Sequence, residues 1–163
     1  MAITWANILE WQTGPLDEIA QSLFEASQGL REAYQMGQDD LSAVQSEGEA
    51  VTAMRATTIT NLASLERALT NVNGALMAIE GARDGVGHIL AQANDVLAEA
   101  ATKQCEIDAG GSVQPMASAP KTDLILIDAS ALATRVKEIV EYADQVDTDL
   151  YHALQDINND RYT

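Results

Sequence analysis

The stretch Asn61–Ile79, "NLASLERALTNVNGALMAI", decides the fold. Its Leu62, Leu65, Leu69, Val72, Leu76 and Ile79 recur at alternating steps of three and four, which gathers them on one stripe of an α-helix. The same spacing continues upstream through Val51, Met54 and Thr58 and downstream through Arg83, Val86, Leu90, Ala93 and Leu97, so it predicts a single helix over 47–103. Gly81, Gly85 and Gly87 in "EGARDGVGH" weaken that helix by roughly 0.5–1 kcal/mol each relative to alanine. Because the stripe keeps its register across them, the expectation is a continuous or kinked helix.

On the N-terminal side the apolar or small positions are Leu16, Ala20, Leu23, Ser27, Leu30, Tyr34, Gly37, Leu41 and Val44, a second stripe that predicts a helix over 15–44. Thr13 and Gly14 precede Pro15, a residue suited to a first helical turn, and Asp17 and Glu18 complement the positive end of the helix dipole. Between the two stripes lies "AVQSEGEAVTAM", Ala43 to Met54. It reads as a reversal joining two antiparallel helices, with Gly48 suited to the turn and Glu47 and Glu49 at the start of the second helix.

Past residue 103 the helical period is lost. "QCEIDAGGSVQPMASAPKTD" gathers glycine, serine and two prolines, and its "CEID" and "SVQPM" flank Ala109-Gly110-Gly111 as a small hairpin would. A third stripe, Leu132, Val136, Ile139, Ala143, Val146, Leu150, Ala153 and Ile157, predicts a helix over 128–158 with Asp128 as its cap. The fold class that follows is all-α: an elongated antiparallel bundle of three to four long helices, with a small β-hairpin near 105–116. One domain, 1–163, is expected, made of a tryptophan-containing segment 1–14, a helical hairpin 15–103, a hairpin and loop 104–127, and the last helix.

Composition narrows the function. The formal charge of -16 repels nucleic-acid phosphates and anionic headgroups, whose binding needs a basic stripe that is missing here. The acid lies towards both ends, and 51–104 is nearly neutral. No apolar run approaches the roughly 18 to 20 residues of a membrane span, and the N-terminus lacks the layout of a Sec signal peptide. Cys105, alone, cannot form an internal disulfide. Cys105, His88, His152 and the carboxylates form no recognisable catalytic set. A di-metal carboxylate bundle needs paired Glu-x-x-His repeats, for which the chain offers only Asp149-x-x-His152. The glycines sit inside a helical repeat and not at a strand-to-helix phosphate loop. A non-enzyme without metal or cofactor is expected.

Trp5 and Trp11, ahead of the first long helix, read either as core or as anchors for a partner, since tryptophan is enriched in both settings. The face carrying Glu138, Glu141, Asp144, Asp147 and Asp149 reads as a solvated surface, with a basic partner as the alternative.

A helix, a short glycine turn and a second heptad helix together resemble the WXG100, or ESAT-6-like, proteins exported by type VII secretion systems. "SEGEA", Ser46 to Ala50, is similar to the family's Trp-x-Gly-x-Ala turn, with Gly48 and Ala50 kept and Ser46 where tryptophan would stand. "ITWANILEWQTGPLDEIAQSL", Ile3 to Leu23, resembles the start of longer actinobacterial WXG100-like N-terminal modules, in which a small hairpin and one further helix follow the long second helix. The resemblance implies a non-catalytic module that targets a type VII secretion substrate, either as the N-terminal part of a larger effector or as a small exported protein.

Its implied partners are a secretion component, a WXG100-like chain giving a hetero- or homodimer, or a C-terminal effector domain. Its implied place is the cytoplasm before export and the medium or cell envelope afterwards. The accompanying Tyr-x-x-x-Asp/Glu signal is not matched, because Tyr34, Tyr142 and Tyr151 have Gln or Val four residues on. His152-x-x-x-Asp156, next to Tyr151, has the spacing of a divergent one. Trp5, Trp11, Tyr151, His152 and Asp156 are therefore the candidate partner or export contacts. A structural coiled-coil adaptor with no role in secretion is the competing reading.

Overall fold

A computed structural model describes residues 2–160. In chain order the elements are α1 (Trp5–Glu10), α2 (Gly14–Ala43), α3 (Glu49–Thr102), β1 (Cys105–Ile107), β2 (Val113–Pro115) and α4 (Asp123–Asp160). The all-α class and the small hairpin are as the periodicities predict. α3 runs through Gly81, Gly85 and Gly87 as one 54-residue helix.

Several details differ from the sequence reading. The segment 1–14 holds the short helix α1, started by a capping box at Thr4: the Asn7 backbone N–H donates to Thr4 Oγ1 at 3.3 Å, and the Thr4 N–H donates to Asn7 Oδ1 at 3.0 Å. Asparagine in place of the usual Glu or Gln hides this box. α4 begins at Asp123 and not at Asp128, with Thr122 Oγ1 accepting from the Ile125 N–H at 3.4 Å. The unbroken apolar run Leu124–Ile127 masks a stripe that in fact includes buried Ile125 and Ala129. Finally, Met54 is 47% exposed, and half-buried Arg55 takes the inner position between Val51 and Thr58.

The chain divides into two compact units: residues up to Leu16 together with Gly81–His152, and Asp17–Glu80 together with the chain from Ala153 on. The first unit holds a continuous core of Trp5, Ile8, Ile89, Ala93, Val96, Leu132, Val136 and their neighbours, all nearly dry. There α3 buries Ile89 and Val96 where the sequence stripe points to Leu90 and Leu97, and Leu97 is 36% exposed. Val86 and Ala93 are inner in both sets, so the seven-residue repeat holds and only the position between them moves back by one residue, from the four-then-three step read in the sequence to three-then-four. Two residues past the end of α3, Gln104 has a left-handed φ of 56°, and its carbonyl accepts from the Met116 N–H at 2.8 Å. β1 and β2 pair antiparallel, Glu106 opposite Gln114. Asp108 Oδ1 closes their connection by accepting from the Gly110 and Ser112 N–H groups at 2.9 and 3.0 Å.

In the second unit α2 and α3 form an antiparallel hairpin in one register. Ser27 Oγ donates to Asn73 Oδ1 at 2.8 Å, Gly37 lies against Leu62, and Arg55 reaches the Val44 carbonyl at 2.8 Å. Ser27 is 2% exposed, so this polar pair is locked in an apolar seam. Removing one partner strands the other, whereas removing both does not. Ser27→Ala should lower stability by about 1–2 kcal/mol in urea unfolding, and the double change with Asn73→Leu should recover most of it.

Two glycines of α3 divide sharply. A Cβ on Gly85 would lie 2.9 Å from Val146 Cγ2 and 3.2 Å from its Cγ1, whereas one on Gly81 meets nothing within 4 Å. Val146, β-branched and half-buried, has little rotamer freedom to yield. Gly81→Ala should therefore stabilise by about 0.5–1 kcal/mol through helix propensity. Gly85→Ala gains the same propensity but overpacks the crossing at a cost of about 1–3 kcal/mol, so it should be destabilising on balance. Thermal unfolding of the two variants checks the opposite signs.

Candidate functional site

The reversal between α2 and α3 carries Ser46, Gly48 and Ala50, all exposed. Gly48 has a φ of 135°, a conformation closed to other residues, and its carbonyl accepts from the Thr52 N–H at 2.9 Å and the Thr52 hydroxyl at 3.0 Å. An added Cβ would meet no atom within 4 Å, so backbone angle and not crowding demands glycine here. Arg55 Nη2 donates to the carbonyls of Val44 at 2.8 Å and Ser46 at 3.4 Å, satisfying acceptors left open where α2 ends. A cation nearly two turns into the following helix, opposite a helix C-terminus, is the sequence signal that identifies this role. The result is a turn fixed from both sides with Ser46 presented to solvent.

The two tryptophans separate. Trp5 is 1% exposed and lies in the core, and its indole Nε1 finds no hydrogen-bond partner among the described residues. A partner could reach Trp5 only by opening the fold, so of the two open readings the structure places it with the core. Trp11 is half-buried and walls a pocket of about 230 Å³ with Ile3, Leu16, Val86, Leu150 and Asp147. Tyr151 is 58% exposed, its ring 5.7 Å from that of His152, and both His152 and Asp156 are exposed on α4. The candidate contacts thus fall at three places: the turn, the Trp11 pocket and the exposed end of α4.

Two further surfaces lie outside the sequence reading. Leu124, Leu126 and Ile127 are 68%, 59% and 64% exposed beside a pocket of about 410 Å³ lined by Pro115, Met116, Pro120 and Ile125. Consecutive aliphatic residues without a period are the signal for it. A more polar pocket of about 310 Å³ gathers His88, Arg135, Glu138 and Tyr142, with the His88 and Tyr142 rings edge to face at 5.9 Å.

Charged and nucleophilic groups have structural explanations. Lys103 Nζ bridges Glu99 at 2.8 Å and Asp128 at 3.4 Å, and Arg135 also pairs with Glu99. Asp128, expected as a helix cap, is instead an inner partner of this network. Cys105 is 1% exposed, and burial, reinforced by Asp128, pushes its thiol above the usual range, which favours the unreactive protonated form. Among the described residues no group of three or more His, Cys, Asp or Glu is placed to hold a metal ion. No described helix is long and apolar enough to cross a membrane.

The network makes a pH prediction. Hydrogen bonds from Lys103 and then Arg135 hold the Glu99 carboxyl below its ordinary 4.5, and the bond to Glu99 lifts Lys103 above its ordinary 10.5. A depressed acid stabilises fully above its unfolded value and loses that contribution as pH falls through the folded one. A raised lysine stabilises fully below its unfolded value and loses it as pH rises through the folded one. The difference in melting temperature between the native chain and Glu99→Gln should therefore be flat between those limits and shrink in acid. Both side chains are about a third exposed, so the difference should also be modest and fall with added salt.

No family model, curated protein or solved structure matches the chain, and the surfaces themselves are what bear on function.

Proposed function

We propose that this chain is a non-catalytic, WXG100-like helical module that targets a type VII secretion substrate for export and binds a protein partner, either as the N-terminal part of a larger effector or as a small exported protein. The observation that carries this reading is the order of parts. A helical hairpin turns at Ser46–Ala50 on a glycine with a φ of 135°, and a two-stranded hairpin and one further helix follow α3. That is the order the resemblance implies, with Ser46 in the place of the family's tryptophan.

Two surfaces support a recognition role. The turn is exposed while its backbone is fixed, which suits a surface that is read without being ordered on binding. Exposed Tyr151 and His152, with Asp156 one turn further on, offer an aromatic and an acid at the helical spacing that a secretion component could read together. The partner of this module is a secretion component, a WXG100-like chain or an attached effector domain. The protein resides in the cytoplasm before export and in the medium or cell envelope after it.

Secretion assays in a host with and without an active type VII system test this. Extracellular protein should disappear when the secretion ATPase is inactivated, and the double change His152→Ala and Asp156→Ala should lower export at unchanged cellular levels. Extracellular levels indifferent to loss of the system would rule out the export role. They would leave the structural coiled-coil adaptor, whose own basis is the half-buried α2–α3 seam.

A further inference from the structure

The Trp11 pocket has chemistry that nothing above has assigned. Its floor is apolar, from Ile3, Leu16, Val86 and Leu150, and its lining includes the carboxylate of Asp147 but no lysine or arginine. At about 230 Å³ it is smaller than the roughly 300 Å³ at which small-molecule pockets begin, so its size suits a single inserted side chain. Trp11, half-buried, supplies the large, stiff aromatic wall found at the anchor points of protein interfaces.

Charge selects among occupants. Asp147 is exposed, and along the same helix Glu141, Asp144 and Asp149 are exposed as well. Asp144 is partly occupied, since its Oδ1 accepts from the Ile3 N–H at 3.5 Å, whereas Asp147 shares this pocket with no lysine or arginine among the described residues. An acidic segment entering here would meet repulsion from a chain of net charge -16, and a second copy of the chain would bring the same charge. A lysine or arginine can lay its aliphatic stem along the apolar floor while its head reaches the carboxylate. We infer that this pocket docks a segment of a basic protein partner that inserts one large apolar side chain against Trp11 and sets a lysine or arginine beside Asp147. The inference does not depend on the export reading, because a partner of this chemistry fits the pocket whether or not the chain is secreted.

The test uses the full chain, labelled with ¹⁵N, and two amphipathic helical peptides, one of leucine and lysine and one of leucine and glutamate. Titration with the leucine–lysine peptide should shift the Trp11 indole N–H signal and leave that of buried Trp5 in place, while the leucine–glutamate peptide shifts neither. Asp147→Asn should weaken binding about three- to fivefold, as loss of a rim ion pair does. Asp149→Asn removes the same charge from an exposed position that does not line the pocket, and should leave the affinity nearly unchanged. Circular dichroism checks that both variants fold. Equal weakening by the two substitutions would show attraction to the overall charge alone and would overturn the inference. So would binding of the leucine–lysine peptide that leaves the Trp11 signal unmoved, or equal binding of the glutamate peptide.

Discussion

A 54-residue helix with an apolar stripe along its length cannot leave that stripe in water, and this constraint on α3 organises each unit of the protein. In the first unit the stripe is met by α1, α4 and the β-hairpin, and the buried residues form a continuous core. In the second unit α2 and the end of α4 meet it, and the inner positions are mostly only half-buried, with Ala20, Ser27 and Ile79 the fully buried ones among the described residues. The difference follows from the number of partners. A helix with several neighbours along its length can dry its inner face, whereas one packed for most of its length against a single helix leaves both flanks wet.

Narrow seams specify register poorly when they are built from leucine alone, so polar and steric devices matter more here than in a thick core. Ser27 and Asn73 pair inside the second unit's seam, and a slip of one turn would strand both groups. Arg55 ties the end of α2 to the start of α3 through two carbonyls, which fixes where the hairpin reverses. In the first unit Gly85 admits Val146 at a distance that no other residue allows, and Lys103 joins Glu99 to Asp128 across two helices. Each device acts on one geometry and penalises its neighbours.

The long helices were legible in the sequence because a period of three and four survives over many turns and each turn adds evidence. The stripe positions Leu16 to Leu41 of α2 and Leu132 to Ile157 of α4 are inner positions of the structure. What escaped reading was local or non-periodic. α1 is too short to show a period, and Asn7 disguises its capping box. Leu124–Ile127 conceals the start of α4 because four adjacent aliphatics point to every side at once. Arg55 took a place given to Met54, since pattern reading assigns inner positions by hydrophobicity and misses a cation that is needed there for its hydrogen bonds. Of the candidate site, the turn and the exposed end of α4 could be located by spacing. The split between Trp5 and Trp11 could not, because burial of a tryptophan depends on what packs over it.

The charge of the chain bears on how its apolar surfaces persist. Leu124, Leu126 and Ile127 stand more than half exposed, as do Met36, Ile59 and Met77. Surfaces of this kind draw copies of a chain together unless something opposes them. A net charge of -16 on 163 residues supplies that opposition, because copies that approach must bring like charges together. The repulsion is long-ranged and unselective, while the apolar contact is short-ranged and needs complementarity. A neutral or basic partner escapes the first and can still make the second. The acidic surface therefore raises the threshold for self-association, and it does so without any single residue being dedicated to the task.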